Sequence, residues 1–270
     1  MRFLERFKEL WKNYKLFQYA VIIHLIYFII SLVCVLTILR DQNDFLIYFT
    51  AGGVFYNDIN DLYNQEQYLW DFRYLPLSAM FFIPFYLLGF ELGFIVFHFL
   101  NLIVNILICD ILYKIITLVK GEDHEKDDRR VILFICLYLM AVPHIFNYIL
   151  GQINSFVAYF VLISLYIFIK YEKLKCQFFG SFILGISIII KPAALFMIPF
   201  LLVINRDIKQ RKKIRIDLLK SAIRLMGVIF PISLNLILFI LYPKLWDGFV
   251  ATNFTAVSYT HLTLPTTPYV

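Results

Sequence analysis

The sequence predicts an all-α polytopic membrane protein: a bundle of about 7–8 transmembrane helices whose extracytoplasmic first loop contains a short interfacial helix. Three observations predict this. Hydrophobic residues make up 61% of the chain and charged residues 16%, with a mean hydropathy of +0.77. A water-soluble core cannot hide that much apolar surface, so the solvent is lipid. Apolar segments long enough to enter a bilayer recur from end to end. The formal charge of +6 sits in loops beside those segments, as the positive-inside pattern requires, so it is not a nucleic-acid footprint.

Residues 1–16 carry Arg2, Arg6, Lys8, Lys12 and Lys15, with Phe3, Phe7, Leu10, Trp11 and Tyr14 at helical spacing on another face. This predicts an interfacial helix on the cytoplasmic leaflet, followed by a transmembrane domain over 17–256. The first span runs over about 17–39, and the chain emerges at Arg40-Asp41-Gln42-Asn43-Asp44. From Phe45 the apolar positions Tyr48, Phe49, Gly52, Phe55, Tyr56 and Ile59 repeat at helical spacing. They predict a short helix in the outer interface with its aromatic face down in lipid.

Further apolar segments lie at about 76–90, 93–119, 131–149, 153–169, 177–205 and 221–242. The loop 206–220 holds Arg206, Lys209, Arg211, Lys212, Lys213, Arg215 and Lys220 and is expected to be cytoplasmic. For 177–205 we expect a single crossing, roughly 43 Å long at 1.5 Å per residue and kinked at Pro192. The competing layout is a re-entrant pair with Lys191 at its tip and a compensating change of parity in the short 76–90 segment.

Asp44 is the first residue with chemical promise. A carboxylate at the outer interface can accept a proton from a bound hydroxyl. It also sits where a helix N-cap would stand, and both readings remain open from the residues alone. Asp41 reads as a solvated loop residue. Lys191 lies inside an apolar stretch, a placement that costs a few kcal/mol unless the ammonium faces a polar cavity; there it can hold a phosphate as a point charge, whereas at the tip of a hairpin it can be a boundary lysine that snorkels to water. Gly151-Gln152-Ile153-Asn154, preceded by Pro143-His144, interrupts an apolar stretch with small and amide residues suited to reading sugar hydroxyls, or to a plain turn. His98, Asn101 and Asn105 fall on one helix face and are expected to bond between helices.

Cys34, Cys109, Cys136 and Cys176 form no Cys-x-x-Cys pair and read as small apolar residues. No glycine-rich phosphate loop, Ser-His-Asp set or zinc spacing is present. No cofactor is evident, and a divalent metal is left open.

Three stretches together resemble glycosyltransferase family 87, the polyprenyl-phosphate-dependent mannosyltransferase-like members of the GT-C superfamily. They are Asp44-Phe45-x-x-Tyr48-x-x-Ala51-Gly52 with Asp61-Leu62-Tyr63; Tyr74-Leu75-Pro76 leading to Pro84-Phe85; and Gly151-Gln152-Ile153-Asn154 with Gly185 and Lys191-Pro192. The chain departs from the family pattern at Asp61 and Leu77, where a glycine and a second proline are common. The resemblance implies a GT-C-like bundle and transfer of a mannose-like hexose from a polyprenyl-phosphate donor to an extracytoplasmic lipid or glycan acceptor. It implies Asp44 as catalytic base, Lys191 on the donor phosphate, and Tyr48, Tyr74, His144, Gln152 and Asn154 around the substrate. The expected setting is the cell membrane, with a cytoplasmic N-terminus, membrane lipid as neighbour and no nucleic acid. The alternative classes are a multi-pass transporter or lipid flippase and a non-catalytic scaffold.

Residues 257–270 change character to Val-Ser-Tyr-Thr-His-Leu-Thr-Leu-Pro-Thr-Thr-Pro-Tyr-Val. This reads like the translation of a transposase-type sequencing adapter, so the natural chain is expected to continue beyond about residue 256, and His261 is not a site candidate.

Overall fold

The computed structural model describes residues 3–120, 128–206 and 214–255. Arg2, Lys209, Arg211, Lys212, Lys213 and the segment Val257 to Val270 lie outside the described residues. The fold is a helical bundle with two ends, which we call the α1 end and the Asp44 end.

Helix α1 (Phe3–Asn13) packs beside the start of α2 (Lys15–Thr37). At this end Phe17 and Ala20 meet Val131, Ile135 and Cys136 of α7 (Asp128–Met140), with Phe7 and Leu10 against them. Helix α2 then runs to Arg40, which pairs with Glu91 at 2.5 Å, where α6 (Phe90–Lys120) begins. Helix α6 is long because nothing interrupts it; its one glycine, Gly93, lies against the Phe85 carbonyl. Helices α2, α6 and α11 (Leu218–Leu241) are each long and apolar enough to cross a membrane, and α7 with α8 (Pro143–Ile149) qualifies as a pair bent by 41°. The bend falls at Pro143, which cannot continue a helix without losing a hydrogen bond. These helices make the chain a membrane protein.

Helix α3 (Asp44–Asn57) differs from the lipid-facing helix expected at 45–56. Phe45, Tyr48, Ala51 and Gly52 are buried within the protein. Phe45 touches the rings of Phe85, Phe90, Phe94 and Phe97. The helical spacing read in the sequence was correct, but the aromatic stripe that it defines serves a protein core. Periodicity alone cannot tell a lipid from a neighbouring helix, because both are apolar.

The 76–90 segment does not cross the bundle. It breaks into α4 (Pro76–Met80) and α5 (Ile83–Leu87), with Pro76 and Pro84 in the two first turns. Both its ends touch α3: the Tyr74 hydroxyl lies 3.1 Å from that of Tyr48, and the Phe90 ring packs on Phe45 and Phe49.

Nor does 177–205 cross once. Helix α9 (Asn154–Lys170) leads to α10 (Leu174–Ile190), which ends at Lys191. Pro192 drives the residue before it into extended backbone, and Lys191 sits at φ −148°, ψ 114°. A 3₁₀ helix, Pro192–Leu201, then returns. Arg224 of α11 shows how far: its Nε donates to Gln177 Oε1 at 2.6 Å and its Nη1 to the Phe200 carbonyl at 2.7 Å. In a single helical crossing those two residues would stand roughly 35 Å apart at 1.5 Å per residue. The guanidinium also lies over the Phe168 ring, 4.0 Å from its centroid. Lys191 is therefore the tip of a hairpin, and the non-crossing 76–90 segment restores parity.

Arg224→Ala removes the donor of both acceptors, each worth about 1–3 kcal/mol when left buried and unpaired. The expected result is a clear fall in the thermal unfolding midpoint of the detergent-solubilised protein, with a smaller fall for Arg224→Lys.

After the hairpin comes a two-stranded antiparallel ribbon, β1 (Ile204–Arg206) with β2 (Ile214–Ile216), in which Ile204 faces Ile216. These are the only strands among the described residues. Helix α11 runs back to the Asp44 end, where Asn235 Oδ1 accepts from the Leu77 N–H at 3.0 Å. Helix α12 (Pro243–Val250) closes the bundle against Tyr63.

Candidate active site

Four segments distant in sequence meet at the Asp44 end. The first is the start of α3. Its N-cap is Asn43, whose Oδ1 accepts from the Leu46 N–H at 3.0 Å and whose amide nitrogen donates to the Leu39 and Arg40 carbonyls. The cap thus falls one residue earlier than Asp44, and the Asp44 carboxylate has no capping duty.

The second segment is the turn between α8 and α9. The Asp44 N–H donates to the Leu150 carbonyl at 2.8 Å, and the Gln152 N–H to the Asn147 carbonyl at 2.9 Å. Gly151 makes this approach possible: its φ is +60°, and a Cβ there would lie 2.6 Å from Phe45 Cβ. Gly151→Ala therefore combines a left-handed backbone with a clash. It is expected to cost about 1–3 kcal/mol, read as a lowered thermal midpoint, and to push the turn away from α3.

The third segment is the hairpin tip. Gln152 stands between Asp44 and Lys191: its Nε2 donates to Asp44 Oδ2, and its Oε1 accepts from Lys191 Nζ at 3.1 Å. Lys191 Nζ also donates to Asn154 Oδ1 at 2.6 Å. One amide thus fixes a carboxylate and an ammonium while keeping them from collapsing onto each other. Both charged groups are half-buried. Burial raises the Asp44 carboxyl pKa above its usual 3.8, an effect that Lys191 opposes. Burial lowers the Lys191 amine below 10.5, and Asp44 opposes that in turn.

The fourth segment brings Tyr74 to Tyr48 through their hydroxyls. Burial raises both phenols, and the Asp44 charge adds to the rise at each. These two therefore remain protonated and can only donate or accept as neutral hydroxyls.

An open cleft of about 840 Å³ adjoins the cluster, lined by Gln152, Asn154 and Lys191 on one side and by Val142, Phe146 and Leu150 on another. His144 lines the same cleft, but its ring packs edge-on against His24 and Tyr138. The structure thus brings Asp44, Gln152, Asn154 and Lys191 into one hydrogen-bonded chain. It places Tyr48 and Tyr74 beside that chain and His144 in the cleft wall. Asp41 is exposed. Among the described residues no group of three or more His, Cys, Asp or Glu is placed to hold a metal ion.

Sequence reasoning assigned His98, Asn101 and Asn105 to interhelical bonding without naming their partners. His98 contacts Ser31 at 2.9 Å, while Asn101 reaches the Gln152 carbonyl at 3.1 Å. The polar stripe was the signal; its target, some fifty residues on in the chain, carried none.

The model of glycosyltransferase family 87 matches residues 72–267. The matched stretch takes in Tyr74, His144, Gln152, Asn154 and Lys191; Asp44 and Tyr48 lie on its N-terminal side. No curated protein and no solved structure matches the chain. The family match covers well over half of the sequence and includes most of the cluster just described, so the chain belongs to glycosyltransferase family 87.

Proposed function

We propose that this glycosyltransferase moves a mannose-like hexose from a polyprenyl-phosphate donor to a lipid or glycan acceptor on the extracytoplasmic side of the cell membrane. The observation that carries the reading is the Asp44–Gln152–Lys191 chain at the mouth of a cleft. It offers a proton acceptor and a positive charge at fixed separation, which transfer from a sugar phosphate requires.

Asp44 Oδ2 is engaged by Gln152, which leaves Oδ1 to take the proton of the acceptor hydroxyl. As that proton leaves, the acceptor oxygen forms a bond to the anomeric carbon of the donor. The bond from that carbon to the phosphate oxygen breaks, and its electron pair stays on the phosphate. Lys191 stabilises the charge that grows there. The products are the glycoside, the polyprenyl phosphate and a protonated Asp44, which returns its proton to water. A phosphate is already a competent leaving group, so one carboxylate suffices where a glycosidase uses two. Gln152, Asn154, Tyr48 and Tyr74 supply neutral hydrogen bonds to sugar hydroxyls, and the cleft beside Val142 and Phe146 accommodates the apolar portion of the donor.

The charge distribution supports the orientation. Asp41, Asp58, Asp61, Glu66, Asp71 and Glu91 belong to the Asp44 end, whereas Arg129, Arg130, Lys170, Lys173, Lys175 and Lys220 belong to the α1 end. By the positive-inside rule this supports an orientation with the α1 end toward the cytoplasm.

The base must be ionised to act, so the rate is full above the Asp44 pKa and is lost as pH falls through it. Because burial raises that pKa against the opposing charge of Lys191, the acid limb of kcat/KM is expected above the pKa of an unperturbed aspartate, and Asp44→Glu should move it. The direct test is reconstitution in lipid vesicles with a polyprenyl-phosphate-linked hexose and a glycan acceptor. Transfer of label to the acceptor supports the reading. Gradient-driven solute flux without transfer would replace it with a transporter.

A further inference from the structure

The Gln152 turn is held from behind by a buried chain of side chains whose donors and acceptors can be assigned in one direction only. Tyr138 donates its hydroxyl to Asn105 Oδ1 at 2.6 Å, and Ser155 Oγ approaches the same oxygen at 3.3 Å. The Asn101 backbone carbonyl, which can only accept, fixes the Asn105 amide: its nitrogen donates to that carbonyl at 3.0 Å, and lies 3.3 Å from Asn101 Oδ1 and 3.1 Å from the Tyr148 hydroxyl. With Asn101 Oδ1 thus an acceptor, its amide nitrogen must face outward, and it donates to the Gln152 carbonyl at 3.1 Å. On the other branch Tyr148 accepts from Asn105, so its own proton points to His24 Nε2, 2.9 Å away. His24 Nδ1 is then the protonated nitrogen, 3.0 Å from the Leu139 carbonyl. Every link is consistent with its neighbours.

We infer that Asn101 is a positioning residue for glycosyl transfer: by holding the Gln152 carbonyl it sets where the Gln152 amide stands, and through that amide how Asp44 and Lys191 stand relative to each other. The inference rests on the proposed roles of Asp44 and Lys191. Asn101 and Asn105 are fully buried and touch no part of the cleft themselves. Helix α6, which carries both, is anchored at its two ends, by Arg40 on Glu91 and by the α1-end core. It therefore provides a buried reference point behind the turn, on the side away from Asp44 and Lys191. An apolar residue at 101 would leave the Gln152 carbonyl without its donor and loosen the turn on that side, while the Asp44 N–H still holds the Leu150 carbonyl. The amide donation to Asp44 would weaken, and a carboxylate that loses a donor becomes harder to ionise.

The test compares Asn101→Leu, Tyr138→Phe and Asp44→Asn with the parent enzyme in vesicles, using polyprenyl-phosphate-linked hexose as the probe. For Asn101→Leu we expect kcat to fall about 10- to 100-fold with the donor KM within about threefold, the size of effect a small misplacement produces. The acid limb of its pH profile should move to higher pH. Combining it with Gln152→Leu should add little to either single change, since both act through one amide. Tyr138→Phe keeps the ring and releases only the bond that orients Asn105, so it reports even where Asn101→Leu folds poorly; it should lower kcat several-fold. Unchanged kcat and an unmoved acid limb in both variants, with Asp44→Asn inactive, would overturn the inference and leave the site reading standing. Normal transfer by Asp44→Asn would overturn the site reading and the inference with it.

Discussion

Replacing Asp44 by Asn is expected to lower kcat by about two to four orders of magnitude, the range a positioned general base supplies, while the protein remains folded. The structure explains why the two effects separate. The contribution of Asp44 to the fold is its backbone N–H, bonded to the Leu150 carbonyl at 2.8 Å, and an asparagine keeps that bond. Capping of α3 belongs to Asn43. An asparagine Oδ1 can still accept from Gln152 Nε2, so the turn stays docked. Only the capacity to take a proton is lost. The check is a single-turnover rate on purified variant and parent, with thermal unfolding midpoints measured on the same preparations. A rate within about threefold of the parent would remove Asp44 from the chemistry.

The second large effect is expected at Lys191. Lys191→Met should reduce kcat/KM about 100- to 1,000-fold, the cost of removing one preorganised group that stabilises developing charge. A methionine keeps the length and most of the apolar volume of the stem, so the hairpin tip still fits. In the proposed reaction the ammonium meets the donor phosphate before and during transfer, so donor KM should rise as kcat falls. Lys191→Arg should retain partial activity: it keeps the charge but spreads it over a planar fork that Gln152 Oε1 and Asn154 Oδ1, 3.1 and 2.6 Å from the amine, are not arranged to accept. Competition by free polyprenyl phosphate provides an independent reading, since its inhibition constant should weaken in parallel with donor KM.

Much of the architecture was legible in the sequence because lipid imposes simple rules. The runs that became α2, α6, α9 and α11 are apolar for long enough to be recognised, whereas Pro192, read as a kink, ends α10. Gly151-Gln152-Ile153-Asn154 was visible as a break in an apolar stretch, but the left-handed backbone at Gly151 was not. Where the reading failed, the missing information was nonlocal. The aromatic stripe of α3 has the same spacing whether it meets lipid or, as here, Phe85, Phe94 and Phe97. The path of 177–205 was decided by Arg224, a residue outside the segment, whose guanidinium reaches both of its ends. The cap reading of Asp44 failed by one residue, since Asn43 and Asp44 are both good caps and only the geometry selects between them. The candidate site was visible as separate residues, whereas the amide that joins Asp44 to Lys191 became visible only once the hairpin and the turn were placed together.

The account is tested most directly by offering the reconstituted enzyme one labelled hexose on two carriers, a polyprenyl phosphate and a nucleoside diphosphate, with the same acceptor present. The arrangement of Asp44, Gln152 and Lys191 beside a cleft with an apolar wall predicts transfer from the lipid-linked sugar alone. That transfer should be abolished by Asp44→Asn and restored by no concentration of the nucleotide sugar. Efficient transfer from the nucleotide sugar, with the lipid-linked sugar inert, would contradict it.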